Sequence, residues 1–215
     1  MELNGYPLIY LQPLHQVMQF PAISMPLNQT ELFACMPVPV GLSYRPDFIT
    51  PAEEARLLAA IAALPFQEAH YKEWTAKRRI VSYGGRYDFS RNELLEAEPV
   101  PQFLNSLRER LAQWCDISPA GFNHAMIAEY RPGTQLGWHR DVPDFDSIVG
   151  LSLSGPARMR FRPYPPQKGK GRATLTLDLQ PRSTYMLRGT ARWDWQHAIS
   201  PTKSLRYSVT FRTLS

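Results

Sequence analysis

Apolar and polar positions change their spacing near the middle of the chain. In the first half the repeat is helical. Thr50-Pro51-Ala52-Glu53 reads as a capping box with proline at the first helical position. Leu57, Leu58, Ile61 and Leu64 follow at helical spacing and stop before Pro65. A second helix is predicted from about Gln102 to Cys115, with Phe103, Leu107, Leu111 and Trp114 on one face. From Phe122 onward the period shortens to two, in segments rich in β-branched and aromatic residues between Gly/Pro turns. Strands are expected near 122–130, 146–154, 157–162, 173–179, 184–188, 193–199 and 206–213. Two helices followed by this many strands predict an α+β fold. Its form is a double-stranded β-helix (jelly roll) with two helices packed outside one sheet.

The last strand breaks the usual rule for such a fold. Arg206, Ser208, Thr210 and Arg212 share one face, and Tyr207, Val209 and Phe211 share the other. The row that should face the interior is polar and positive. A buried arginine is costly unless it meets an anion. Internal Asp or Glu could serve, as could a dicarboxylate ligand gripped through parallel N–H bonds.

A second constellation lies on earlier strands. Trp138-His139-Arg140-Asp141 carries a His-x-Asp pair, and Trp193-Asp194-Trp195-Gln196-His197 brings a second histidine. Residues two apart on a strand point to one side, so His139 and Asp141 offer two ligands from one strand end. Two imidazoles and a carboxylate can take one face of an octahedral iron and leave the opposite face open. Without a thiolate the set favours iron(II), with manganese, cobalt or nickel as inert substitutes. A catalytic zinc fits the ligand count as well. Each part alone is commonplace; their conjunction with the basic strand is what carries weight.

Composition bounds the rest. With 215 residues and 44% hydrophobic content, the chain fits one globular domain. No apolar run approaches the ~18 residues of a membrane helix. Cys35 and Cys115 lack metal-ligand spacing and read as reduced thiols of a cytoplasmic protein. The net charge of +5 is compatible with a polyanionic partner. Residues 1–44 hold no Lys or Arg and six prolines, which predicts an irregular N-terminal arm before a domain over 45–215. Met36 is a plausible natural start. The arm has no basic region ahead of an apolar core, so a secretory signal is not expected.

Residues 71–91 hold six basic residues against two acidic ones, interleaved with Tyr71, Trp74, Tyr83, Tyr87 and Phe89. The segment turns at Gly84-Gly85 and predicts a long loop or a pair of hairpins. Trp74 and Tyr83 could stack on an extruded base while Lys77, Arg78, Arg79 and Arg86 hold phosphates. Arg158, Arg160, Arg162, Lys168, Lys170 and Arg172 form a second basic run that would widen such a track.

From about Pro46 to Leu214 the chain resembles the AlkB family of iron(II)- and 2-oxoglutarate-dependent dioxygenases. The matching strings are Tyr130-Arg131-Pro132-Gly133, His139-Arg140-Asp141, Ile148-Val149-Gly150-Leu151-Ser152-Leu153, Arg188-Gly189 leading to His197, and Arg206-x5-Arg212. The resemblance implies that His139, Asp141 and His197 bind iron. It implies that Arg206 grips the distal carboxylate of 2-oxoglutarate, helped by Tyr130 and Ser208, with Arg212 near the metal against cosubstrate or an iron ligand. It makes 122–215 the jelly-roll core and 71–91 a substrate-recognition lid, with Tyr83-Gly84 echoing the family's aromatic-glycine turn. The implied activity is oxidative demethylation of alkylated DNA or RNA by a monomer with no membrane partner, releasing formaldehyde, succinate and carbon dioxide. A methylated protein or metabolite as substrate, or a weakly active metal-binding module, are the alternatives. Two positions depart from the family pattern. Ala128 stands where the family has Asn, which removes a hydrogen bond worth about 0.5–1.5 kcal/mol. Val142-Pro143-Asp144 replaces an acidic pair, leaving Asp144 as the acidic substrate contact.

Overall fold

The computed structural model describes residues 38–71, 74–88, 91, 93–166 and 174–215, and only the backbone at 69–71, 74–76, 86 and 94. The expected arm lies outside the described residues up to 37. Its last part is not irregular, because strand β1 (Leu42–Arg45) begins there. Helix α1 (Pro51–Ala62) starts where the capping box requires, with the Thr50 side chain and Glu53 bonded reciprocally. Strands β2 (Gln67–Tyr71) and β3 (Trp74–Tyr83) form one hairpin, and β4 (Arg86–Asp88) and β5 (Glu93–Leu95) a second. The segment 71–91, expected to be a loop or a pair of hairpins, contains β3 and β4, but their partners β2 and β5 extend beyond it on either side. Gly84 ends β3 at φ +75, where a Cβ would lie 1.8 Å from the Asn123 carbonyl oxygen. Only glycine fits that approach.

Helix α2 (Asn105–Cys115) follows a 3-10 turn at Gln102–Leu104. It buries Leu107, Leu111, Ala112 and Cys115, with Leu104 ahead of them. Phe103 and Trp114, placed on that face by spacing, flank it half-buried. The chain then runs through β6 (Phe122–Tyr130), β7 (Leu136–His139), β8 (Phe145–Ser154), β9 (Ala157–Pro163), β10 (Leu175–Leu179) and β11 (Thr184–Leu187). A single turn, α3 (Thr190–Trp193), precedes β12 (Trp195–Ile199) and β13 (Arg206–Leu214). The strand expected from 193 therefore starts two residues later.

A seven-stranded sheet in the order β1-β11-β8-β13-β6-β3-β2 faces a four-stranded sheet in the order β10-β9-β12-β7. Both helices pack outside the larger sheet, as the sequence predicts. One apolar cluster (Leu57, Ile61, Leu111, Ile127, Val209 and Phe211 among others) joins the helices to that sheet. A second lies between the two sheets and joins Tyr130, Ile148 and Tyr185 of the larger to Phe161, Leu177 and Trp195 of the smaller. Strand β13, between β6 and β8, is buried on both faces. Glu54 stitches α1 to the sheet by accepting from the Ser154 backbone N–H at 2.8 Å and from Arg182 at 3.2 Å. Among the described residues no helix is long and apolar enough to cross a membrane.

Leu111→Ala should cost about 2–5 kcal/mol, because a fully buried leucine leaves a cavity that its neighbours cannot refill. Urea denaturation would show this as a lower midpoint at unchanged slope. Burial pushes the Cys115 thiol up to about 12. Iodoacetamide at pH 8 should therefore spare Cys115 in the folded protein and modify it once urea unfolds the chain, as read by peptide mass.

Candidate active site

The inner face of the larger sheet is a polar wall whose rows follow from strand register. Tyr130 on β6 stands opposite Arg206 on β13, Ala128 opposite Ser208, Met126 opposite Thr210 and His124 opposite Arg212. Arg206 is 1% exposed. Its Nε donates to Ser152 Oγ at 3.0 Å, its guanidinium lies 4.9 Å from the Tyr130 ring centroid, and one terminal nitrogen has no partner. An orphaned guanidinium N–H in the interior awaits an anion. Ser208 and Thr210 hydroxyls lie 3.5 Å apart beside it. These groups line a narrow cleft of about 30 Å³ that also reaches His139, Asp141 and His197. Its chemistry fits a dicarboxylate, which enters only if the side chains around it part.

Gly150 makes room for part of that wall. A Cβ there would sit 2.4 Å from the Tyr185 ring, which lies across it and lines the cleft. Burial pushes the Tyr185 phenol up to about 12. Tyr185 gave no signal in the sequence.

The smaller sheet supplies the ligands. His139 on β7 stands directly opposite His197 on β12, with ring centroids 4.2 Å apart. Asp141 Oδ1 lies 3.7 Å from His139 Nε2 and 3.5 Å from His197 Nε2. All three ligand atoms fall within 4.8 Å of one another. Burial pulls both imidazoles down, His197 to about 3, which keeps them in the neutral form that ligates a metal. His139 Nδ1 donates to the Gly137 carbonyl at 2.9 Å, leaving its Nε2 lone pair aimed at the centre. Burial alone would raise the Asp141 carboxyl. Arg212 and the two imidazoles outweigh it and hold the group well below the usual carboxylate range.

Two arginines fix Asp141, one at its carboxylate and one at its backbone. Arg212 Nε donates to Asp141 Oδ2 at 2.8 Å, and a terminal nitrogen reaches His124 Nδ1 at 3.2 Å. Of the two contacts expected for Arg212, the structure shows the one to the metal ligand. Arg192, on α3, donates to the carbonyls of Asp141, Val142 and Phe145. It pins the loop carrying the ligand, and sequence reasoning missed it. Its only visible signal is a basic residue shortly before His197.

Above the metal ligands opens a wider cavity of about 430 Å³. Ile80, Met126, Leu136, Trp138, Val142 and Phe145 give it mostly apolar walls, with Tyr87 at one side. The expected substrate residues fare unevenly. Lys77 is exposed on β3, and the Trp74 side chain lies outside the described residues. Tyr83 does not face the cavity. It packs on the helix-side apolar cluster, because β3 turns its odd-numbered residues away from the interior. Asp144 is half-buried in the loop after β7 and does not line the cavity as its neighbour Phe145 does. Arg78 is not an outer phosphate holder. It is buried and points inward. Arg79 pairs outward with Glu129 at 2.7 and 2.9 Å.

A fold of two facing sheets, a His-Asp-His centre at their mouth and a buried cationic cleft beside it define an iron(II) oxygenase that uses 2-oxoglutarate. The model of the 2OG-Fe(II) oxygenase superfamily matches residues 41–212, and the chain belongs to that superfamily and, within it, to the AlkB homologues. The chain is 30% identical to the "Alkylated DNA repair protein ALKBH8 homolog" of Arabidopsis thaliana over 92% of its own length, but spans only 63% of that relative. It is 25% identical to the "Probable RNA/DNA demethylase ALKBH6" of Danio rerio, covering 79% of this chain and 73% of the relative. The solved structure of OsALKBH1 shares the fold, with a TM-score of 0.65 at 14% identity over 83% of this chain and 98% of that one.

His139→Ala should abolish tight iron(II) or manganese(II) binding and all 2-oxoglutarate turnover while leaving the circular dichroism spectrum unchanged. Residual wild-type turnover in that variant would overturn the ligand assignment.

Proposed function

We propose that the chain removes N-alkyl groups from the bases of alkylated nucleic acid, with formaldehyde, succinate and carbon dioxide as products. One observation carries this reading: the apolar cavity over the metal ligands is continuous with a basic, aromatic face on the smaller sheet. Trp138 and Arg140 line the cavity and also begin that face. Trp138 lies under two guanidiniums, Arg160 at 5.0 Å and Arg162 at 4.4 Å. Arg140 stacks on Tyr164 at 3.9 Å. Guanidiniums held flat on aromatic rings suit a strand of phosphates and stacked bases. Arg158 drops out of the expected track because it pairs with Asp178, and Lys168, Lys170 and Arg172 lie outside the described residues. The names of the two relatives, alkylated-DNA repair and probable RNA/DNA demethylation, support the same reading.

In this reading Arg206, Tyr130 and Ser208 seat the cosubstrate, and Arg212 and Arg192 hold Asp141 in its ligating pose. Bound iron(II), with 2-oxoglutarate and dioxygen, supplies the oxidising power to take hydrogen from an N-methyl carbon. The cavity walls would hold that methyl group beside His139 and Asp141 and exclude water. The hydroxymethyl product then loses formaldehyde.

The test is a screen of methylated DNA, RNA and peptide substrates for formaldehyde released together with succinate. Formaldehyde from an oligonucleotide is the expected result; release from peptide alone would overturn the reading. Arg160→Ala with Arg162→Ala should weaken oligonucleotide binding and lower the slope of log K against log salt by about 1–2. Succinate formation without substrate should not change.

A further inference from the structure

We propose that Arg78 is a second cationic anchor for 2-oxoglutarate, acting where Ala128 leaves the family's hydrogen-bonding side chain missing. This rests on the cosubstrate seat described above. The strand phase places Arg78 there. Arg79 pairs with Glu129 and Ile80 with Ala128 across β3 and β6, so Arg78 shares the inner row with Tyr130, and Arg206 completes that row from β13. Arg78 is 5% exposed. A terminal nitrogen sits 3.4 Å from the Tyr130 hydroxyl, longer than a good hydrogen bond. That contact is easily exchanged for a carboxylate.

Two guanidiniums thus converge on one buried phenol. Burial would raise Tyr130, but Arg78 and Arg206 outweigh it and lower the phenol below its ordinary range. Bringing two like charges together in the interior is unfavourable by itself and becomes favourable around a dianion. Arg206 offers an unpartnered N–H from one side of Tyr130, and Arg78 approaches from the other. The distal carboxylate of 2-oxoglutarate has two oxygens to receive them. Ala128, which pairs with Ile80 on the neighbouring strand, puts only a methyl group into the cleft. Arg78 also lines both the cleft and the larger cavity, so it forms part of the wall between cosubstrate and substrate.

The experiment uses the full chain loaded with manganese(II), which binds without turnover. Calorimetry measures affinity for 2-oxoglutarate and for 2-oxopentanoate, which has a methyl group in place of the distal carboxylate. The ratio of the two affinities reports the grip on that carboxylate. Arg78→Met should weaken 2-oxoglutarate binding roughly 10–100-fold, as loss of a charged hydrogen bond does, and shrink the ratio alike. Arg78→Lys, which keeps the charge and loses the fork, should give an intermediate ratio. Arg56→Ala on the exposed side of α1 changes the net charge equally and should leave the ratio alone. An unchanged ratio in Arg78→Met overturns the inference. If that variant fails to fold, a wild-type ratio in Arg78→Lys overturns it instead. An unchanged ratio in Arg206→Met would show that the seat itself is wrong.

Discussion

A strand buried on both faces cannot be apolar on one side and wet on the other, and β13 meets this constraint by splitting its residues between two kinds of interior. Val209 and Phe211 face the helices and give ordinary hydrophobic packing. Arg206, Ser208, Thr210 and Arg212 face the second sheet, where every charge has to be matched. Arg212 finds Asp141, which is itself committed to two imidazoles. Arg206 finds a serine hydroxyl and an aromatic face, and keeps one donor for a ligand. One inner face thus sets an unpartnered guanidinium donor beside a cluster of metal-ligating side chains, a pairing whose chemistry matches a diacid and a metal.

The metal centre is positioned by a different economy of contacts. Its ligands come from the smaller sheet and the loop beyond it, but the side chains that orient them come from elsewhere. Arg212 reaches across from the larger sheet, and Arg192 reaches up from the short helix before β12. Arg212 also lines the wider cavity, whereas Arg192 does not. Arg212 holds the Asp141 carboxylate itself, and Arg192 holds the backbone of the loop that carries it.

How much of this the sequence displays depends on whether a strand has one buried face or two. The capping box at Thr50 and the alternation of β13 are local patterns, and both appear in the structure where they were read. His139 and His197 were recognisable from the two-residue spacing of His139 and Asp141 and from their conjunction with a later histidine and a basic strand. The segment 71–91 had no such mark. Along β3 the inner residues Arg78, Ile80 and Ser82 and the outer residues Arg79, Val81 and Tyr83 have nearly the same composition. Only pairing with β6 decides which set faces inward, and that is a long-range fact. Tyr83 and Arg78 were consequently assigned to the wrong sides. Arg192 and Tyr185 escaped notice because their partners are backbone carbonyls and a glycine, which leave no trace in residue type.

Gly150 lies on β8 behind one wall of the cleft. Its hydrogen is all that separates the β8 backbone from the Tyr185 ring, and that ring forms one side of the cosubstrate cleft. Any larger residue at this position would have to displace the ring that walls the cleft. The width of the cleft is thus set in part by a residue that presents no side chain to it.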